Sequence, residues 1–583
     1  MKSFLLLKSF FRTHAWRYGL GVIWLMAVNV AQLFIPYLLG YITDQIATRQ
    51  IAPVDLWRFV GYVMAVAAVV VLCRFLWRIF IMGTARKLEY YLRDKLFSHL
   101  QKLSVNFYNE HKTGDLMAHA TNDINAVRMA MGPGIIMLTD STFMTIATIY
   151  MMSRTIDITL TVLALLPLPF MAALVMFIGR IIHTRFKAVQ AAFSDITDRV
   201  QENISGIRVI KSFVQEDAEL NRFDEVSELY VQRNMDLIRL WGLFMPMVQF
   251  ISGVSYLIVL SYGGIMVIDG SISLGAFVAF NTYLAMLIWP MLALGWVINV
   301  LQRGAASMSR LKTLFDKKPE VFDGSDVEKI DNLQGQVEVR HLNFTYPDGT
   351  RVLKDINITL PRGNTLAIIG RTGSGKTTLA NLLLRLYNPP PGTILLDGID
   401  INRIPLAVLR RDIGYVPQDG FLFSATLHEN IAFADETLGR PKVEQAAKLA
   451  QVYDNIMEFP GEFDTLSGER GVTLSGGQKQ RVSIARALIK DPALLIMDDC
   501  LSAVDTQTEE EILKGLRQFM QGRSSILISH RVSTVQDADE IVVMDQGRIV
   551  ERGTHDQLLE QGGLYHQLHE KQQLEKKIAE GQG

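Results

Sequence analysis

The chain has 583 residues, 49% of them hydrophobic, and a formal net charge of −1 at pH 7. That length allows several domains. The apolar share is high for a soluble protein and low for one wholly embedded in a bilayer, so apolar residues must be unevenly spread, and the near-zero charge gives no reason to expect nucleic acid. The two cysteines, Cys73 and Cys500, lie far apart, which argues against a disulfide framework or zinc site and leaves both as packing residues.

In chain order, six apolar stretches long enough to cross a bilayer occupy the first half: 16–39, 56–82, 134–152, 158–178, 244–268 and 274–300. The charged N-terminus precedes an apolar run that is too long for a signal peptide and has no small-residue cleavage pattern, so it reads as an uncleaved first span. The loops SRTID and DGSIS join spans three to four and five to six. About fifty residues separate spans two and three, and again four and five, far more than a tight turn. These long connections carry Arg86, Lys87, Arg93, Lys95, Lys102 and Lys112, then Arg185, Lys187, Arg199, Arg208 and Lys211, while the short loops carry almost none. That bias puts the long connections and both termini on the cytoplasmic side. Stretches such as LEYYLRDKLFSHLQKL keep a helical period, which predicts helices that continue past the membrane and turn back below it. Arg74 and Asp140 sit at a depth where charge is costly. Asp140 either attracts cationic substrates or makes a structural bond between helices.

From Asp316 the composition changes. Residues 1–315 form the membrane part, 316–336 are polar and turn-rich and suit a linker, and 337–568 alternate β-branched runs with helical patterns, as in an α/β domain. A charged tail, 569–583, has no evident role.

The stretch GRTGSGKTT comprises Gly370, Arg371, Thr372, Gly373, Ser374, Gly375, Lys376, Thr377 and Thr378. It follows an apolar strand and precedes a helical pattern, the context that a phosphate-binding loop requires. Small residues let backbone N–H groups close around phosphates, and the following helix presents its positive end. Lys376 should reach the β- and γ-phosphates of ATP, and the Thr377 hydroxyl should ligate Mg²⁺. Asp498 ends a later apolar strand and supplies the carboxylate that such a site uses to hold Mg²⁺.

The segment LSGGQKQRVSIARAL, from Leu474 to Leu488, resembles the signature of ATP-binding-cassette (ABC) proteins. Other marks of that family follow in order. Tyr346 in FTYPDG resembles the aromatic residue that stacks on adenine. Gln418 in YVPQD resembles the Q-loop glutamine that touches Mg²⁺ and faces the membrane domain. SAVD, Ser502 to Asp505, resembles the D-loop, and His530 in LISHR the switch histidine that contacts the γ-phosphate. GERG, Gly468 to Gly471, resembles an exporter-specific segment. FYNEHKTGDLMAHATND and ENISGIRVIKSF resemble the two intracellular loops, whose turns act as coupling helices.

The resemblance covers nearly the whole chain. It implies a membrane all-α part, six transmembrane helices with long cytoplasmic extensions, fused to an α/β P-loop nucleotide-binding domain: a type IV exporter half-transporter. It further implies that Ser475, Gly476, Gly477 and Gln478 bind the γ-phosphate held by another subunit, so that two half-transporters are needed to complete a site. In the family a Glu follows the Mg²⁺ aspartate and orients the attacking water. Here that residue is Asp499. One methylene fewer withdraws the carboxylate by about 1.5 Å, and misplacement of about 1 Å can slow a reaction ~100-fold. With every other motif intact, this combination resembles the slow-site subunit of heterodimeric bacterial multidrug exporters. The implied function is ATP-driven efflux of hydrophobic drugs or lipid-like compounds, with a partner chain supplying the catalytic Glu. The alternatives are a homodimeric lipid or peptide exporter and an ATP-gated channel or regulator. Neither a regulatory insertion between the two parts nor a peptidase segment before the first span is present to favour the channel or a processing peptide exporter.

Overall fold

The computed structural model describes residues 6–48, 53–468, 474–501 and 506–579. The expected D-loop, 502–505, and residues 469–471 of the GERG segment lie outside the described residues. The chain divides into two compact units: Met1–Gln101 with Thr113–Lys317, and Lys102–Lys112 with Lys318–Gly583.

Among the described residues, the first unit contains six helices long and apolar enough to cross a membrane: Lys8–Ala47, Leu56–Leu100, Thr113–Thr155, Ile158–Ser205, Glu216–Ile268 and Leu274–Phe315. Each carries one of the six apolar stretches. The longest has 53 residues and spans about 80 Å, against a hydrocarbon thickness of about 30 Å. Most of its excess is the polar stretch 216–243, which carries seven acidic residues against three arginines. The turns are set by side-chain caps. Asp157 accepts from Leu160 N at 2.7 Å, and Ser273 Oγ accepts from Ala276 N at 3.0 Å. Ser153–Thr155 of SRTID continue the third helix, leaving Ile156 and Asp157 as the turn. Near the last turn the first and sixth helices touch: a Cβ on Gly275 would lie 1.9 Å from Gly40 O. Asp44 then accepts from Gly275 N and from the Ser273 hydroxyl, both at 2.6 Å.

The second unit is built on two sheets. A four-stranded sheet runs in the order Arg351–Leu360, Val337–Thr345, Ile394–Leu396, Ile399–Asp400. A six-stranded sheet runs Arg548–Gly553, Glu540–Asp545, Thr365–Gly370, Ser524–Ser529, Leu494–Asp498, Ile413–Val416. The middle strands are buried on both faces. Ala367, Leu495, Leu527 and Ile541 enter one apolar cluster, whereas Ile368, Ile496, Ile526 and Val542 enter the other. This is why those strands read as unbroken apolar runs instead of an alternation.

Two expected boundaries differ from the observed chain path. The presumed linker is packed against the second unit: Asp323 Oδ1 accepts from Leu406 N at 3.0 Å, Glu328 N donates to Arg403 O at 2.8 Å, and the buried Arg385 donates to Phe322 O at 2.7 Å. Asp323 satisfies a backbone N–H there with its side chain, and Glu328 a backbone carbonyl with its own N–H. Position 568 falls inside a single helix, Leu564–Ala579, so most of the charged tail continues a domain element. Residues 102–112 also belong with the second unit. Their short helix Val105–Glu110 carries Asn106 and Asn109, which donate to Glu320 Oε1 at 3.1 Å and to the Tyr387 hydroxyl at 2.9 Å.

Candidate functional site

In the six-stranded sheet, Thr365–Gly370, Ser524–Ser529 and Leu494–Asp498 are parallel neighbours, with Ile369 opposite Ser529 and Ile528 opposite Asp498. Their C-terminal ends deliver the glycine-rich loop, His530 and the two aspartates to one edge, where open α/β sheets bind ligands. A cleft of about 330 Å³ lies there, lined by loop residues 372–378, Val352, Gln418, Asp498, Asp499 and His530.

The loop is shaped by its glycines. Gly375 has φ +100°, and a Cβ on it would lie 2.7 Å from a Leu353 methyl carbon, so both backbone and space demand glycine. The helix Lys376–Leu383 starts at the next residue and turns its unpaired N–H groups toward the cleft. Lys376 Nζ donates to Gly370 O at 2.8 Å and to Arg371 O at 3.0 Å. Gly370 and Arg371 thus hold the ammonium and do not line the cleft themselves. Burial pushes the Lys376 pKa below the usual lysine range, and the negative charges of Asp499 and Asp498 oppose that shift.

Asp498 is 1% exposed, and its Oδ2 has no hydrogen-bond partner among the described residues. Burial holds its pKa above the usual carboxylate range; Asp499 pushes the same way, while the Thr377 hydroxyl and Lys376 pull it back. An orphaned carboxylate oxygen beside a hydroxyl, with the Gln418 amide on the same cleft, fits Mg²⁺, which takes one or two protein oxygens and completes its shell with phosphates and water. Among the described residues no group of three or more His, Cys, Asp or Glu is arranged to hold a metal. When bound with ATP, Mg²⁺ neutralises phosphate charge. Thr377, Asp498 and Gln418, which line the cleft together, are the residues that would hold it.

Because the folded-state pKa of Asp498 is raised, the charged carboxylate opposes folding. Stability of the nucleotide-free protein should therefore rise as pH falls through that raised value toward the ordinary carboxylate range. Asp498→Asn should melt higher than the parent at neutral pH without nucleotide, and the gap should close on acidification. Thermal melts across pH check this. Equal melting at neutral pH would show that burial there is not costly.

Asp499 follows with φ +48° and donates its N–H to Ile528 O at 2.8 Å. Its carboxylate faces the His530 ring, with Nδ1 at 2.7 Å from Oδ1 and 2.9 Å from Oδ2. The neighbouring Cys500 is buried, its thiol pKa pushed up to about 12, as suits a packing residue.

Tyr346 does not line the cleft. Its hydroxyl lies 3.0 Å from the Thr378 hydroxyl, and its ring packs edge-on against Phe344 and Tyr387, with centroids at 5.1 and 5.2 Å. The signature residues also stand apart from this cleft. Ser475 caps the helix Gly476–Leu488, accepting from Gln478 N at 3.2 Å while Gln478 Oε1 accepts from Ser475 N at 2.9 Å. Ser475 and Gly476 are exposed. Two contacts were missed in the sequence. Val352 lines the cleft from a strand that carries no motif. Gln480 Nε2 donates to Gln418 O at 3.2 Å, tying the signature helix to the Q-loop; its place two residues past Gln478 was the available clue. In the first unit, Arg74 and Asp140 line one cavity of about 510 Å³ together with Gln32, Trp77 and Trp289, the setting that intramembrane charge requires.

Comparison with known proteins agrees with both units. Residues 18–291 match the ABC transporter transmembrane region and residues 353–502 the ABC transporter family. The chain is 42% identical over 566 residues to the "Probable multidrug resistance ABC transporter ATP-binding/permease protein YheI" of Bacillus subtilis (strain 168), covering 97% of each chain. It is 40% identical over 577 residues to the "Multidrug resistance-like ATP-binding protein MdlA" of Escherichia coli (strain K12), covering 99% of this chain and 97% of that one. A solved bacterial Atm1-family ABC exporter with ATP bound superposes with a TM-score of 0.76 at 28% identity, covering 96% of this chain and 98% of that one. A six-helix membrane region followed by a cassette with its phosphate loop, signature and paired aspartates in place makes this chain a multi-pass, ATP-hydrolysing member of the ABC transporter family, an exporter half-transporter.

Proposed function

We propose that the chain is one subunit of a heterodimeric exporter that moves hydrophobic drugs or lipid-like compounds across the cytoplasmic membrane, with its long basic connections, termini and ATP-binding domain on the cytoplasmic side. Its own cleft is the slow ATP site. Its Ser475–Gln478 segment completes a fast site on a partner that carries Glu where this chain has Asp499. The observation that carries this reading is Asp499: one methylene short of the expected glutamate and paired with the His530 ring at 2.7 and 2.9 Å. The cleft residues otherwise suit ATP and Mg²⁺, with Lys376, Thr377, Asp498 and Gln418 in the roles given above and Tyr346 beside Thr378. Two ATPs would close the pair of cassettes, the binding energy would shift the spans from inward- to outward-facing, and hydrolysis would reset them. The names of the relatives support the drug class, and the cavity bearing Asp140 and Arg74 is the candidate path.

One observation favours a second reading, a homodimeric exporter. With φ +48° at position 499, aspartate is tolerated by the backbone better than glutamate, so the shorter acid has a local reason to be there.

ATP hydrolysis by the purified chain in lipid separates the two. Alone, it should turn over at about 1% of the rate reached with a Glu-bearing second half-transporter. Rapid hydrolysis by the chain alone would reject the heterodimer. ATP-dependent accumulation of a dye in inverted vesicles tests the pump itself.

A further inference from the structure

The helix Leu564–Ala579 is anchored at its start and reaches the switch loop further along. Glu551 accepts from the N–H groups of Leu564 and, at 3.0 Å, Tyr565, placing a carboxylate at the positive end of the helix. Tyr565 is fully buried, and its hydroxyl lies 2.8 Å from His555 Nδ1. Two turns on, the Gln572 amide bridges the backbone on either side of Arg531. Its Nε2 donates to His530 O at 2.7 Å, and its Oε1 accepts from Val532 N at 2.8 Å. Val532 opens the short helix Val532–Val535, so its N–H is one that no carbonyl inside that helix can reach.

The same loop is held on its far side. Glu509, 3% exposed on the helix Thr506–Met520, pairs with Arg531 and accepts from the Thr534 hydroxyl at 3.0 Å. The His530 side chain itself is 49% exposed. Packing therefore does little to orient the ring. Its place in the cleft depends on the backbone that carries it and on Asp499.

We propose that Gln572 is a positioning residue for the ATPase reaction: the C-terminal helix clamps the switch loop through both ends of one amide and so sets where the His530 ring stands. This rests on the reading of His530 as the γ-phosphate contact. A clamp on the far end of the cassette also makes the C-terminal helix a point at which hydrolysis can be tuned without touching nucleotide.

The test is a mutant cycle on the full-length chain in lipid without a second half-transporter, so that the slow turnover read is that of this chain's own site. Gln572→Ala should lower kcat about tenfold, since displacements below 1 Å suffice for that, while affinity for a fluorescent ATP analogue stays within about twofold. Gln572→Glu keeps an acceptor for Val532 N–H but sets an acceptor oxygen against His530 O in place of the donor, so it should slow hydrolysis as well. His530→Ala should lower kcat further, and adding Gln572→Ala to it should do nothing more, because the two act as one unit. Additive losses in the double variant, or an unchanged kcat in Gln572→Ala beside an impaired His530→Ala, would overturn the clamp. An unchanged kcat in His530→Ala would instead overturn the role of His530, and the clamp with it.

Discussion

Asp499→Glu should raise the hydrolysis rate of this chain's own site by about 100-fold and lower its melting temperature by a few degrees. The rate follows from reach. A glutamate sets the carboxylate about 1.5 Å further out, and recovering about 1 Å of alignment is worth ~2.7 kcal/mol of barrier. The melting temperature follows from the backbone. Position 499 has φ +48°, a region that aspartate enters more readily than longer side chains, and the penalty for an ordinary residue is about 1–2 kcal/mol. In a domain of this size that is a loss of about 2–8 °C. The paired readout is specific, because a change that only repaired folding would raise both quantities together. An unchanged rate with the partner present would show that side-chain length does not limit the site.

Lys376→Ala should weaken ATP binding by about 10²- to 10⁴-fold. The ammonium is held against the loop by Gly370 O and Arg371 O, at the point where two phosphates are expected. Hydrogen bonds to charged groups contribute about 1.5–3 kcal/mol each, and two of them account for that loss of affinity. The nucleotide-free protein should tolerate the change, since burial already disfavours the charged amine. Equilibrium binding of a fluorescent ATP analogue, with a melt of the unliganded protein, checks both halves. Near-normal affinity would remove Lys376 from the phosphate contacts.

Much of the architecture was legible because it is written in local periods. Six apolar stretches were long enough for a bilayer, and each lies on one of six long helices. The glycine-rich loop announced itself through spacing, since only a strand, a tight turn and a helix start accommodate it. The boundaries were less legible. Asp323 and Glu328 look like solvated linker, yet they hydrogen-bond backbone groups more than seventy positions away. The polar segment after Leu568 looks like a tail, yet a helix runs through it. In both cases polar composition marked exposure on one side and concealed specific bonds on the other.

Motifs and hydrophobic patterning alone were enough to specify a membrane helical region joined to an ATP-binding cassette, because spans, strands and the phosphate loop each depend on neighbours a few residues away. What remained for the tertiary structure was which groups meet. It set Asp499 against His530, left an Asp498 oxygen buried without a partner, held Tyr346 by Tyr387 and Thr378, and brought Gln572 to the switch loop. Those meetings depend on strand order, and on where a helix anchored by Glu551 passes; hydrogen bonds reach only about 3 Å, so no pattern along the chain encodes them.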